Sequence, residues 1–227
     1  MTPPIIIFYH CLFQIGDKVL PAAPRIVHDQ MTTLKNSGVL DACDEFRVGV
    51  NGGKESEQFV QAFIPSKAIV TYHGLQCRNE LRTLLMIEDW CRNFKPEAYI
   101  LSFHSKGVSH DPDSSYAQTM STPWRNRMMH ECVKKWRFCV RDLEIKEAAG
   151  CHWLTGQGWD HSQHYFAGTF FWVRASFFRT IPSVMTRQRI KDSGIDSVDS
   201  RFEAEVHLGN GPRVPIVSNR YAGPIAT

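Results

Sequence analysis

Hydrophobic positions along the first hundred residues fall into two alternating patterns. Ile5 to Leu12, Phe46 to Val50, Ala68 to Tyr72 and Ala98 to Phe103 are short, mostly apolar runs. Their length and their branched or aromatic content predict strands buried on both faces. Between them, apolar residues recur at helical spacing. Val27, Met31 and Leu34 follow Pro24 and stop at Gly38; Phe59, Ala62 and Phe63 follow the second run; Leu81, Leu84, Ile87, Cys91 and Phe94 precede the fourth. Strands alternating with amphipathic helices predict an α/β fold, Rossmann-like, with a mainly parallel mixed sheet flanked by helices.

The second half is less regular. Ser121-Thr122-Pro123-Trp124 combines a hydroxyl cap with an early proline, and Met129, Cys132, Trp136, Cys139 and Leu143 follow at spacings of three and four. The pattern predicts one long helix reaching about Ala149. A short strand over Gly150 to Leu154, a polar loop from Thr155 to Gln163, an aromatic strand over Tyr165 to Val173, a short helix over Phe177 to Ile181, a polar stretch from Arg187 to Ser200 and a last helix over Arg201 to Leu208 complete the pattern. The tail reads as irregular. No repeat interrupts the 227 residues, which are enough for one sizeable core in a single domain or a domain with a small appendage.

Composition narrows the class. Hydrophobic residues make up 43% and charged residues 22%, the balance of a soluble globular protein. The net charge of +3, with no long basic run, argues against nucleic acid as a partner. Seven cysteines, Cys11, Cys43, Cys77, Cys91, Cys132, Cys139 and Cys151, carry no CxxC pair. They read as reduced, mostly buried thiols of a cytoplasmic protein, without a structural zinc site. Ile5-Ile6-Ile7-Phe8 is too short for a membrane span and lacks the basic start of a signal peptide.

The candidate chemistry lies where the strands stop, since ligands of open parallel sheets bind beyond the carboxyl ends of the strands. The four ends read Tyr9-His10-Cys11, Asn51-Gly52-Gly53, Tyr72-His73-Gly74 and His104-Ser105-Lys106-Gly107. Aromatic and amide groups suit a nucleobase and ribose. A lysine beside glycine suits a diphosphate, whose charge ammonium and backbone N–H groups share. No GxGxxG or GxxxxGK[ST] occurs, which points away from a dinucleotide site or a P-loop and towards a nucleotide-sugar. Competing structural roles exist for each: a hydrogen-bonded histidine at a strand end, a tight turn at Asn51-Gly52-Gly53, and core packing for Phe170, Phe171 and Trp172. Asp111-Pro112-Asp113 matches the DxD of metal-diphosphate sites in glycosyltransferases, yet lies several residues past its strand and also makes a good turn. Gly168-Thr169 breaks a bulky strand, so a backbone or ligand approaches there. Arg174 can reach a phosphate or a carboxylate. Glu203 and Glu205 lie two apart on a helix, so one of them faces the site, as a general base towards an acceptor hydroxyl.

The segments "EAYILSFHSKGVSH", "WRNRMMHECVKKWRFCVRDL" and "HYFAGTFFWVRASFFRTIP" resemble glycosyltransferase-like proteins of polysaccharide biosynthesis, similar to the bacterial rhamnan-synthesis proteins. The order of glycine, aromatic strand, arginine and acidic helix is also similar to the family-2 glycosyltransferases of the GT-A fold. The resemblance covers Glu80 to about Leu208. It implies a GT-A-like domain with a nucleotide-binding half at 1-110 and an acceptor-binding half at 111-227. It further implies transfer of a hexosyl or deoxyhexosyl group from a nucleoside-diphosphate sugar to a glycan or lipid-linked acceptor. Tyr9, His10, Asn51 and Tyr72 would hold the nucleotide, His104, Lys106 and Arg174 the diphosphate, and Gly168 and Thr169 the sugar. Glu205 or Glu203 would be the base of an inverting reaction. The strand end that carries DxD in that fold reads His-Ser-Lys here. Two arrangements therefore stay open: Lys106 replaces part of the charge of a divalent cation (Mn or Mg), or such a cation binds at Asp111 or Asp113 (the DxD-like pair) with His104 as a further ligand. Two other readings remain: a degenerate GT-A domain that binds nucleotide or glycan without catalysis, and a metal hydrolase built on His10, His104, Asp111 and His164.

Overall fold

The computed structural model describes residues 2–53, 56–76, 79–94, 96–156, 164–197, 200 and 202–223. Cys77, His161, Arg201 and the rest of the polar 157–163 loop lie outside the described residues. In chain order the strands are β1 (Ile5–Leu12), β2 (Gln14–Ile15), β3 (Lys18–Val19), β4 (Glu45–Asn51), β5 (Ile69–Tyr72), β6 (Tyr99–His104), β7 (Ala148–Gly150), β8 (Trp153–Thr155), β9 (His164–Phe166), β10 (Phe171–Arg174) and β11 (Val217–Asn219). The helices are α1 (Ala23–Ser37), α2 (Val39–Ala42), α3 (Ser56–Phe63), α4 (Leu81–Asn93), α5 (Thr122–Met128), α6 (Trp136–Asp142), α7 (Ala175–Phe178), α8 (Gln188–Ser193) and α9 (Phe202–Glu205).

Seven strands form the central sheet in the order β11-β7-β10-β6-β1-β4-β5. β1 pairs in parallel with β4 and β6, β4 with β5, and β7 with β11. β10 runs antiparallel to both β6 and β7. The mixed, mainly parallel, helix-flanked sheet expected from the hydrophobic pattern is the sheet the chain forms.

Alternation along β1 sorts its side chains between two cores. Ile5, Ile7, Tyr9 and Cys11 join an apolar cluster with α1 and the helical stretch that includes Met128, Cys132 and Cys139. Ile6 and Phe8 join a second cluster with Leu81, Leu84 and Ile87 of α4 and Phe177 and Phe178 of α7. α1 has its proline in the first turn and stops at Gly38, where φ is 76° and the N–H returns to the Lys35 carbonyl.

Three expectations need correction. The long helix ends at Asp142, not near Ala149, and is not uniform: residues Ala117–Ser121 and Met129–Lys134 are π-helical. Ala148, Ala149 and Gly150 leave helical geometry to pair with β10 and β11. That pairing overrides the alanines' helix preference, and a Cβ on Gly150 would stand 2.9 Å from the Phe166 ring. The strand expected over Tyr165 to Val173 splits into β9 and β10, because Gly168 and Thr169 take left-handed backbone with φ of 86° and 57°. The tail is not wholly irregular: β11 adds an edge strand.

Candidate functional site

The parallel register places His10 beside His104 on adjacent strands, and Gly49 on the other side of His10. Partners in register point to the same face. Both imidazoles therefore stand at the carboxyl ends of β1 and β6, over the face that α4 covers. They border a cavity of ≈ 390 Å³ whose other lining includes Glu80 before α4, the turn from Ser105 to His110, Tyr116, Trp124, and Phe202 and Glu205 of α9.

Lys106 stands over Trp124, with Nζ 3.6 Å from the ring centre, a cation–π contact at the cavity wall. The next residue has φ of 90°, and a Cβ there would meet Ser121 Oγ and stand 2.9 Å from Arg125 Nη1. Glycine at 107 is thus required by the close approach of α5. Arg125 Nη1 donates to the Lys106 carbonyl at 2.9 Å, and Gln30 Nε2 to the His104 carbonyl at 2.9 Å. Ser105 Oγ accepts the Leu12 N–H, tying the turn to β1.

His10 Nδ1 lies 2.8 Å from Thr83 Oγ1, and the same hydroxyl is 3.2 Å from His73 Nε2. Burial pushes His10 down to about 3 and His73 to about 4, so both are neutral at pH 7. His104 is also held well below its ordinary value, first by burial and then by the Lys106 charge. Glu80, which no sequence signal singled out, accepts the Thr169 hydroxyl at 2.9 Å and comes within 3.5 Å of His104 Nδ1, which has no hydrogen-bond partner. Thr169 makes this bond from its left-handed backbone, a conformation that costs a branched residue energy. Glu80 precedes the first turn of α4 and has no motif around it; only the fold brings it to His104.

Several sequence candidates do not join this cavity. Tyr9 points to the opposite face of the sheet, fully buried, with its hydroxyl donating to Gln30 Oε1 at 2.8 Å. Asn51 is buried, with Nδ2 3.4 Å from His10 Nε2. It braces His10 rather than lining the cavity. Tyr72 is exposed at the end of the edge strand β5. Gly168 gives way to protein and not to a ligand: a Cβ there would stand 2.9 Å from Met128 Sδ and 3.0 Å from Trp124. Thr169 spends its hydroxyl on Glu80. Arg174 is at the other end of the sheet. It pairs in register with Tyr99, the first residue of β6, and its guanidinium clasps Glu97 at 2.8 and 3.0 Å. That separation follows from β10 running antiparallel to β6. Glu203 turns away from the cavity towards Arg187 and Arg189, at 2.7 and 3.5 Å. Asp111 and Asp113 form an exposed turn, in which Asp111 Oδ1 accepts the Asp113 N–H. His164 lies on β9, 3.4 Å from Thr155 Oγ1. No group of three or more His, Cys, Asp and Glu side chains among the described residues could hold a metal ion. Asp111 and Asp113 do not line the cavity, and His10, His104, Asp111 and His164 do not come together as such a group.

The arrangement that remains is one ammonium, two neutral imidazoles and two carboxylates around an open cavity with aromatic walls. It can bind an anion at Lys106, exchange hydrogen bonds through His104, and accept a proton at Glu205 or Glu80. The six described cysteines are buried thiols, none in a disulfide. No helix among the described residues is long and apolar enough to cross a membrane.

No protein-family model matches the sequence, and the comparison with curated proteins gives no match. Among solved structures, the chain is similar to 4-diphosphocytidyl-2C-methyl-D-erythritol synthase from Anaerococcus prevotii at 8% identity and a TM-score of 0.49, over 100% of this chain and 92% of that one. It is also similar to CMP:2-keto-3-deoxy-manno-octonic acid synthetase, solved with CTP, at 14% identity and a TM-score of 0.48, over 97% of this chain and 92% of that one. Neither likeness reaches a TM-score of one half, and neither bears on the chemistry; the mixed α/β architecture stands on this chain's own strand pairing.

Proposed function

We propose that the cavity binds a nucleoside-diphosphate sugar and that the protein transfers the sugar to a hydroxyl of a glycan or lipid-linked acceptor. The observation that supports this is the convergence of His104 and Lys106, on one strand end, with Glu205, distant in sequence, on one cavity beyond the carboxyl ends of β1 and β6. In the reaction, the acceptor oxygen attacks the anomeric carbon as its proton passes to the Glu205 carboxylate. The bond from that carbon to the diphosphate oxygen breaks, and its electron pair leaves on the diphosphate. Lys106 stabilises the growing negative charge, and neutral His104 offers a hydrogen bond beside it. Attack from the opposite side inverts the anomeric centre. Glu205 is preferred to Glu203 because Glu205 lines the cavity while Glu203 turns away towards Arg187 and Arg189. Residues 1-110 would supply the donor side and 111-227, through Trp124 and Glu205, the acceptor side.

Calorimetric titration with nucleoside diphosphates and sugar nucleotides, with and without manganese, tests the reading. At least one should bind, and Lys106→Ala should weaken it about tenfold or more, the scale of a charge-assisted hydrogen bond. Glu205→Gln should keep binding and lower transfer by about 10²–10⁴-fold. Failure of every nucleotide to bind would overturn the proposal. Binding without transfer to any acceptor would favour a non-catalytic binding domain instead.

A further inference from the structure

A second cavity, of ≈ 420 Å³, lies on the other side of the sheet. It is lined by α1 through Asp29, Gln30 and Thr33, and by the helical stretch opposite through Arg125, Asn126, Met129, His130 and Lys134. Its size falls in the range of small-molecule sites. Two of its residues also support the first cavity from behind, since Gln30 and Arg125 donate to the carbonyls of His104 and Lys106.

Arg125 is 7% exposed, and no carboxylate lies within ion-pair distance of it among the described residues. Its guanidinium donates to the Lys106 carbonyl and to Thr122 Oγ1 at 3.3 Å. A guanidinium has five N–H donors, so most remain for another partner. A buried cation without a counter-charge is costly, and a bound anion relieves that cost. Lys134, on the same wall, likewise has no ion-pair partner among the described residues; the neighbouring Lys135 takes Glu131 at 3.1 Å. Arg25 adds positive potential, and with burial it lowers the Arg125 value, while Asp29 opposes both. Asp29 does not cancel the field: its side chain is 66% exposed and faces His28 at 3.7 Å, so solvent screens it far more than it screens Arg125. His130 is near Glu131, at 3.9 Å. The wall between Arg125 and Lys134 is π-helical from Met129 to Lys134, a distortion that often marks functional positions.

We infer that this cavity is a second ligand site, built for the phosphomonoester of a small polyol. Arg125 and Lys134 take the phosphate, and the neutral polar groups Asn126 and Thr33 take the hydroxyls. The site is separate from the donor cavity and stands whether or not the donor reading holds.

Titration of the whole chain with inorganic phosphate and with glucose 6-phosphate, followed by the Arg125 Nε–H and Asn126 side-chain amide resonances, tests the inference. Both probes should shift these signals. Lys134→Ala, a surface substitution that should leave the fold intact, should weaken both probes about tenfold. Asn126→Ala should weaken glucose 6-phosphate alone, and Lys106→Ala should leave both affinities unchanged. No shift at either resonance up to about 10 mM probe, an affinity below any specific site, would overturn the proposal. So would phosphate binding that disappears in Lys106→Ala and persists in Lys134→Ala, which would assign it to the donor cavity.

Discussion

Gly49 carries a hydrogen where the neighbouring strand positions carry side chains, and the Thr83 hydroxyl and His73 imidazole fill the space that leaves. A Cβ at this position would collide with both Thr83 Oγ1 and His73 Nε2. The Thr83 hydroxyl has one proton, so it can donate to one of the two histidines and accept from the other. Gly49→Ala is expected to destabilise the protein by about 1–3 kcal/mol, the cost of overpacking a rigid site, as a shift in the denaturant midpoint at constant slope. The same residues set a pH dependence. His10 and His73 have folded values near 3 and 4, below the unfolded value near 6.5. The unfolded chain therefore takes up more protons in acid. Stability is complete above about pH 6.5 and falls as pH drops from there towards 4, with a slope approaching about 1.4 kcal/mol per unit for each histidine. His73→Gln should flatten that slope while changing stability at pH 7.5 much less; an unchanged slope in urea titrations at pH 4.5, 5.5 and 7.5 would contradict it. The strand-end histidines were visible in the sequence. Their joining through Thr83 was not, because Thr83 is a polar residue inside an amphipathic helix pattern that marks only the apolar face.

At the scale of elements, β10 explains the most about what could and could not be read. Its apolar run was clear, but its direction was not, and direction decides which end of the sheet Arg174 occupies. The antiparallel course takes Arg174 to Glu97, whose carboxylate also accepts the Ser176 N–H at 3.0 Å and the Ser176 hydroxyl at 2.5 Å. The hydrogen bonds from Ser176 and Arg174 hold the Glu97 carboxyl below its usual range against the opposing effect of burial. This network fastens the start of β6 to the start of α7. Glu97→Gln is expected to cost about 1–2 kcal/mol of stability through weakened charged hydrogen bonds, and to leave nucleotide affinity unchanged. A large loss of affinity in calorimetry would return this end of the sheet to the binding site. The helix expected from Ser121 to about Ala149 shows the other limit. The apolar positions from Met129 to Leu143 are spaced by three and four, with no five-residue step, so the π-helical stretch Met129–Lys134 left no trace in them. The end at Asp142 depends on contacts from the tail: Ser218 Oγ donates to Asp142 Oδ2 at 2.6 Å and Arg220 Nη1 reaches it at 3.0 Å.

Across the whole molecule, two cores grip one sheet, and Trp172 anchors the one on the α1 side. It is fully buried, packs with the α1-side cluster, and donates its indole N–H to the Cys132 carbonyl at 2.7 Å. Trp172→Ala should cost about 3–5 kcal/mol, as expected for emptying an aromatic site in a close-packed core, measured by chemical denaturation. The order of local signals was enough to determine the class: strands that bury both faces must be covered on both faces, and alternating helices supply that cover. It also pointed to the strand ends as the candidate site, and His10, His104 and Lys106 border one cavity there. Glu80 beside His104, the turning of Glu203 to Arg187, the withdrawal of Tyr9 into the core and the second cavity behind the sheet were decided only by tertiary structure. Each depends on a contact between residues distant in the chain, and local spacing carries no information about which distant side chain fills the remaining space.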